Sequence, residues 1–253
     1  MLPLCFGEAT KFAQSLLDAG KRYTATVRFG ATTTTGDAEG AVTATFPFAF
    51  TEDALLVALR GFEGPQSQVP PIYSALKFEG KAHYEYARAG IEVPRPPRPI
   101  MVAAMRLLSW NPPDAVVDIE CSKGTYVRVL AEDLGRALGS GAHLAGLRRT
   151  ATGGFALRDA VPLADFEALD PAARDSVLLP VAALVTALPR LAVDEPAGAS
   201  FRQGRTVDGA PLPDGPCAVF CGTELLGIAD IVAGRAQPRR VIPAVGPDDV
   251  QAS

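Results

Sequence analysis

"CSKGTYVRVLAEDLGRALG", residues 121–139, changes its period in the middle, and that change sets the fold class. The run into it, Ala115–Cys121, has the composition of a strand. After it, Val127, Leu130, Leu134 and Leu138 form the apolar stripe of a helix, with Thr125 as the cap and Gly139 as the stop. Between them, Ser122–Thr125 is a tight turn. It places backbone N–H groups and Lys123 at a helix N-terminus, an arrangement that suits a phosphate. Tyr126 and Arg128 fall in the first helical turn, where a strand end and a helix start often line a cleft. Taken alone, the stretch is equally a helix cap with a surface arginine.

Working outward, "KRYTATVRFG" (Lys21–Gly30) alternates. Tyr23, Ala25, Val27 and Phe29 share one face, and Thr24, Thr26 and Arg28 the other, which is a half-buried strand. "ATTTTGDAEG" follows as a turn region leading to a second strand near Ala41–Thr45. Thr51 caps a helix over Glu52–Arg60, ended by Gly61. Strand patterns resume at Met101–Leu108, and "HLAGLRRTATGGF" adds a short helix or strand. Near the start, Glu8–Gly20 reads as a helix, and Met1–Phe6 is an apolar run that looks like the middle of a packed element. Beyond about Pro189, short β runs at Pro216–Cys221, Leu225–Ile231 and Arg239–Pro243 are separated by Gly, Pro and Asp turns. The expected division is therefore residues 1–187 and residues 188–253, the latter a small β-rich domain.

Gln68–Pro99 stands apart, with six prolines, four aromatics and a basic balance. A helical piece at Lys81–Arg88 fits inside it, whereas "VPRPPRPI" excludes a helix interior. A long irregular segment within a domain of this size is usually functional or disordered. The net charge of −4 argues against a nucleic-acid binder, but the total hides a distribution. Lys77, Lys81, Arg88, Arg95, Arg98 and Arg106 make the central third basic, which is compatible with a local polyanion site. No window approaches about 18 uninterrupted apolar residues, so a membrane-spanning helix is not expected. The start lacks the marks of a signal peptide, and the default location is the cytoplasm. Cys217 and Cys221 have a C-x3-C spacing without a second pair, and read as small buried residues rather than a metal site.

"MLPLCFGEATKF", "KRYTATVRFGATTTTGDAEG", "QVPPIYSALKFEGKAHYEYARAGIEVPRPPRPI", "CSKGTYVRVLAEDLG", "GAHLAGLRRTATGGF" and "ELLGIADIVAGRAQPRRVI" occur in this order. Together they resemble the TruB-type tRNA pseudouridine synthases over nearly the whole chain. The resemblance implies an α+β fold: a mixed, largely antiparallel sheet with flanking helices, and a C-terminal PUA-like β domain. It implies isomerisation of uridine 55 in the T loop of tRNA to pseudouridine, with no cofactor or metal, by a monomer without a protein partner. The region at about residues 71–99 resembles the family's thumb, which clasps the T-stem-loop, with Lys77, Lys81 and Arg88 as substrate-binding residues. Tyr23 resembles the tyrosine that stacks on the flipped base, and Tyr126 the active-site tyrosine, an acceptor for the carbon-5 proton. Arg128 resembles the arginine that pairs with the catalytic carboxylate, and Leu147 an apolar residue lining the base pocket. Lys11, Lys21 and Arg22 are weaker candidates for phosphate contacts.

The family's catalytic aspartate lies in a "G-x-L-D-P-x-A-x-G" block that runs directly into the "MLP" with which this sequence begins. The nucleophilic carboxylate is therefore expected ahead of Met1, with the chain as given inactive and Arg128 lacking its partner. Asp18, Asp37 and Asp133 match no catalytic motif of the family. The competing expectation is a non-catalytic tRNA-binding or RNA-folding protein.

Overall fold

The computed structural model describes residues 1–243. Two compact units divide them: Met1–Leu2 with Ala19–Ala160, and Pro3–Asp18 with the chain from Val161 onward. The sequence placed a boundary at 187/188 and kept the N-terminal segment in the first domain. The difference has a packing cause. Phe12, 2% exposed, is buried with Val185, Ala218, Phe220 and Leu225 of the second unit. In the same segment the Lys11 ammonium donates to the Val241 carbonyl at 3.3 Å, and the Ser15 hydroxyl reaches the Leu184 carbonyl at 3.2 Å.

The helix expected over Glu8–Gly20 is broken into a 3-10 turn at Gly7–Phe12 and the five-residue α1 (Gln14–Asp18). No side chain caps the first of these, and α1 buries no residue, so neither cap nor core extends it. Met1–Phe6 forms no regular element, and Leu2, Leu4 and Phe6 are largely exposed.

In the first unit the elements are β1 (Lys21–Phe29), β2 (Ala31–Thr33), β3 (Val42–Thr45), α2 (Glu52–Gly61) and β4 (Gly64–Gln68). Next come β5 (Lys77–Phe78), β6 (Lys81–Ala82) and α3 (His83–Arg88), then β7 (Arg98–Asn111), β8 (Asp114–Cys121), α4 (Val127–Ala137), β9 (Ala142–Thr152) and β10 (Phe155–Ala156). Six strands form one sheet in the order β10-β9-β1-β8-β7-β4, every adjacent pair antiparallel. The alternation of β1 is realised: Ala25, Val27 and Phe29 are buried, and Arg28 on the other face is exposed and paired with Asp114 at 2.8 Å. Leu55 and Leu59 of α2 and Val127, Leu130 and Leu134 of α4 join this core with Val117 and Ile119 of β8. Thr51 caps α2 as expected, accepting from the Ala54 N–H.

The second unit holds α5 (Leu163–Ala168), α6 (Pro171–Ser176), β11 (Arg190–Val193), α7 (Glu195–Arg202), β12 (Val207–Asp208), β13 (Gly215–Cys221), β14 (Glu224–Val232) and β15 (Arg235–Val241). Its five-stranded sheet runs β11-β13-β14-β15-β12, with the β11–β13 pair parallel and the others antiparallel. Cys217 is buried and Cys221 half-buried, both as free thiols. Among the described residues, no group of three or more potential ligands could hold a metal, and no helix is long and apolar enough to cross a membrane.

One close approach locks α4 onto β9. A Cβ on Gly135 would lie 2.3 Å from the Ala142 backbone nitrogen. Gly135→Ala would gain about 1 kcal/mol of helix propensity, but overpacking against backbone costs roughly 1–3 kcal/mol or more, so the clash should win. We expect Gly135→Ala to lower the melting temperature by several degrees in thermal unfolding; an unchanged or higher value would show that the contact yields freely.

Candidate active site

Four residues from three separated stretches meet at one open cavity of about 500 Å³ in the first unit. Tyr23 comes from β1, Tyr126 and Arg128 from the start of α4, and Leu147 from β9, with Asp37, Glu39, Thr125 and Leu144 also on its walls. Sheet register brings β1 and β9 residues together: Tyr23 lies opposite Arg149, and Ala25 opposite Leu147. Leu147 is 49% exposed, an apolar side chain turned to the cavity rather than into the core. The Arg149 guanidinium sits 5.8 Å from the centre of the Tyr23 ring.

Tyr126, not Thr125, is the residue that precedes the helix, with extended φ −96° and ψ 106°. Its own side chain makes no cap. The side chain of Gln68, at the end of β4, instead pairs with the Tyr126 backbone. Gln68 Oε1 accepts from the Tyr126 N–H at 2.8 Å, and its Nε2 donates to the Tyr126 carbonyl at 3.2 Å. Gln68 is 4% exposed, so a buried amide fixes the backbone of Tyr126. The turn ahead of it requires a glycine, since Gly124 has φ +78°. Within the turn proposed for a phosphate, the Ser122 N–H is already engaged, donating to the Met101 carbonyl at 2.8 Å.

Arg128 has a partner, contrary to the expectation that it would stand unpaired. Its Nη1 donates to Asp37 Oδ2 at 3.0 Å and its Nη2 to the Tyr73 carbonyl at 2.7 Å. Sequence reasoning set Asp37 aside as a turn residue. It is indeed in a turn: Asp37 Oδ1 accepts from the Thr35 hydroxyl at 2.5 Å and the Glu39 N–H at 3.2 Å. What the local pattern does not reveal is where that turn is pinned. At Leu144 the edge of β9 is free of β10, and the turn docks there. The Ala38 N–H donates to the Leu144 carbonyl at 3.0 Å, and the Leu144 N–H to the Gly36 carbonyl at 2.9 Å. The carboxylate thereby reaches an arginine ninety-one positions later.

The remaining candidates lie elsewhere. Lys77, Lys81 and Arg88 are exposed on the β5–β6 hairpin and α3, away from the cavity, and none is in an ion pair among the described residues. Arg88 lies over the Tyr84 ring at 5.4 Å. Lys11 pairs with Glu8 at 2.6 Å, and the Lys21 ammonium donates to the Ala19 carbonyl at 2.7 Å. Arg22 forks onto Asp118 at 2.7 and 2.8 Å, so its charge is answered within the sheet.

Residues 1–127 match the N-terminal domain of the TruB family pseudouridylate synthases, residues 128–186 the C-terminal domain of tRNA pseudouridylate synthase B, and residues 189–242 the C-terminal domain of pseudouridine synthase II TruB. The chain belongs to the TruB family of pseudouridine synthases. It is 51% identical over 246 residues to tRNA pseudouridine synthase B of Thiobacillus denitrificans, covering 97% of this chain and 83% of that one. With the Chromobacterium violaceum tRNA pseudouridine synthase B the identity is 53% over 207 residues, covering 82% and 68%. A solved Cbf5-Nop10-Gar1 complex shares the fold, with a TM-score of 0.72 at 23% identity, covering 94% of this chain and 71% of the matched one.

Glu132 of α4 stands behind the Asp37 turn. A Cβ on Gly36, which has φ +73°, would fall 2.8 Å from the Glu132 carboxyl carbon. Burial pushes the Glu132 carboxyl above the ordinary glutamate range, and Asp133 and Asp37 add to this while Arg136 and Arg128 oppose it. A raised folded-state pKa favours folding while the group is protonated, and that contribution is lost as pH rises through the folded value. Glu132→Gln should therefore be more stable than the parent at neutral pH. The gain should shrink to nothing as pH falls below the unfolded glutamate value of about 4.3. Chemical denaturation as a function of pH checks this; a gain that grows toward acid would reverse the sign of the shift.

Proposed function

We propose that the reaction served by this cavity is the conversion of uridine 55 in the T loop of tRNA to pseudouridine. The observation that carries this reading is the convergence of Tyr23, Tyr126, Arg128 and Leu147 on one cavity. The reaction exchanges the bond from C1′ to N1 for a bond from C1′ to C5. The C5 hydrogen leaves as a proton and N1 gains one, so the formula is unchanged and no redox partner is required. The chemistry needs a flipped base, a carboxylate to attack C1′ or C6, and a base for the C5 proton. On this reading Tyr23 offers a ring face for stacking, Leu147 fills the apolar side, and the Tyr126 hydroxyl takes the C5 proton.

Asp37 is an ion-pair partner in this scheme rather than the nucleophile. Both its oxygens already accept bonds, from Arg128 on one side and from Thr35 and the Glu39 N–H on the other. Attack would require breaking the pair with Arg128. The nucleophile remains the aspartate of the family's "L-D-P" block. Arg128, already anchored to Asp37 and the Tyr73 carbonyl, has further N–H donors with which to hold that second carboxylate. The separate proposal for RNA docking is the thumb: exposed Lys77, Lys81 and Arg88 beside Tyr84 and Tyr86 supply charge and rings to a phosphate backbone.

Tyr126→Phe should keep T-arm binding within about twofold and lower turnover by roughly 10²-fold or more, since only the proton acceptor is lost. The measurement is release of label from uridine carbon 5 of a T-arm hairpin by the full-length protein. Parental turnover in Tyr126→Phe would remove it from the reaction. T-arm binding with no release by the parent itself would favour the non-catalytic RNA-binding reading.

Lys77→Ala, Lys81→Ala and Arg88→Ala combined should weaken T-arm binding and flatten its salt dependence by up to about two to three units of log–log slope. Titrations at several salt concentrations check this, and an unchanged slope would assign the thumb charges to solvent.

A further inference from the structure

We propose that Gln68 is a positioning residue for the proton transfer at uridine C5, acting through the backbone of Tyr126. This rests on the proposed reading that the Tyr126 hydroxyl takes that proton. Gln68 is the last residue of β4, and its ladder partner in β7 is Arg98, so the sheet fixes its backbone. The stretch that follows is held at two further points. Arg95 Nη1 donates to the Pro70 carbonyl at 2.8 Å, and Arg128 Nη2 to the Tyr73 carbonyl at 2.7 Å. Residues 68–73 are therefore bonded to both Tyr126 and Arg128.

The Tyr126 hydroxyl has no anchor of its own. Among the described residues it is in no hydrogen bond, and its ring is in no aromatic or cation–π contact. Its place is therefore set from the backbone end. The Tyr126 carbonyl already accepts from the Val129 and Leu130 N–H groups at 3.1 and 3.2 Å, enough for its two lone pairs. The Gln68 Nε2 bond to that carbonyl is thus the lesser half of the clamp. The Tyr126 N–H, by contrast, has Gln68 Oε1 at 2.8 Å as its one acceptor among the described residues. Losing that bond frees the peptide ahead of the ring to rotate. The hydroxyl lies at the far end of the ring, where a small rotation becomes a large displacement. A misplacement of about 1 Å can cost about 10²-fold in rate.

Two substitutions separate this role from packing. Gln68→Met keeps the length and volume of the side chain but has no amide, so the Tyr126 N–H loses its acceptor. In Gln68→Glu the protonated carboxyl reproduces the amide. Its carbonyl oxygen accepts from the Tyr126 N–H, and its hydroxyl donates to the Tyr126 carbonyl. The ionised carboxylate cannot donate, and sets a charged oxygen against that carbonyl. A single proton therefore converts this variant between a sound clamp and a broken one. Burial favours its protonated form, while the cations Arg98, opposite in the ladder, and Arg128 favour the ionised one. The balance sets the pH of the change but not its sign: the clamp is restored as pH falls.

The test is single-turnover release of label from uridine carbon 5 of a T-arm hairpin by the full-length protein at saturating concentration. T-arm affinity and melting temperature are recorded for each variant. Gln68→Met should lower the saturated rate about tenfold or more, with affinity within about twofold of the parent. Tyr126→Phe should cost Gln68→Met about tenfold less than it costs the parent, because a misplaced hydroxyl has less to lose. The ratio of the Gln68→Glu rate to the parental rate should rise as pH falls. A merely structural Gln68 would lower the melting temperature and leave the saturated rate of the folded variants parental. That result overturns the positioning role and leaves the proposed function standing. So does a parental rate in Gln68→Glu at every pH, or a loss of affinity alone, which would assign Gln68 to RNA docking. If Gln68→Met does not fold, the pH profile of Gln68→Glu decides. No release by the parent, with T-arm binding retained, overturns the proposed function and this inference with it.

Discussion

The charge pair between Arg128 and Asp37 is the contact on which the arrangement of the first unit's cavity depends. It closes a loop of three segments that share no hydrogen-bonded strand ladder with one another: the start of α4, the turn after β2, and the chain entering the thumb at Tyr73. The two side chains are 23% and 22% exposed. An exposed pair is worth about 0–1 kcal/mol, and losing one partner of a buried pair costs about 3–5 kcal/mol, so this one falls between. The pair is a single bond of 3.0 Å, and each partner has a second anchor: Arg128 on the Tyr73 carbonyl, Asp37 on the Thr35 hydroxyl and the Glu39 N–H. Asp37 is held before it meets Arg128, because its turn is bonded to the free edge of β9 at Leu144. The pair therefore registers the turn and the helix start against a frame set by the sheet.

That order of construction explains what the sequence revealed and what it hid. β1 was legible because one face is core and the other is not; a period of two in Tyr23–Phe29 is the direct imprint of that environment. α4 was legible for the same reason at a period near 3.6. Tyr23, Tyr126, Arg128 and Leu147 were singled out through ordered motifs, and the cavity brings all four together. Asp37 was hidden because its local chemistry is fully explained by turn formation. An Asp that accepts from its own i+2 N–H looks the same whether or not its other oxygen meets an arginine from α4. Gln68 was hidden likewise: a glutamine at a strand end has no pattern, and its role exists only because Tyr126 arrives beside it.

The misread helix near the start follows a related logic. Glu8–Gly20 has enough apolar residues for a helical stripe, but only Phe12 finds a core, and it finds one in the second unit. Without a buried stripe, propensity alone does not hold a continuous helix, and the segment breaks into two short turns. The division at 187/188 was read from a change in composition. The compact units follow where side chains are buried, which composition does not report for Phe12 or Val185, while the matched family regions do change over between residues 186 and 189.

The polar groups of the first unit fall into two classes with opposite consequences. Gln68, Asp37 and Arg128 are satisfied within the protein, so they hold backbone and charge in one geometry before any substrate arrives. Gln68 illustrates how tightly. Its amide must present oxygen to the Tyr126 N–H and nitrogen to the Tyr126 carbonyl, so the pairing itself fixes the orientation of the amide. A tyrosine hydroxyl can be placed only as well as its backbone, and here that backbone is clamped from both polar sides by one buried side chain. The thumb is built otherwise: two-residue strands, a six-residue helix, exposed cations and a buried imidazole nitrogen without a partner. Elements so short bury little surface of their own, so contacts with a ligand weigh heavily in where they settle. Internally satisfied polar contacts are thus concentrated at the cavity, and short, sparsely bonded elements in residues 71–99.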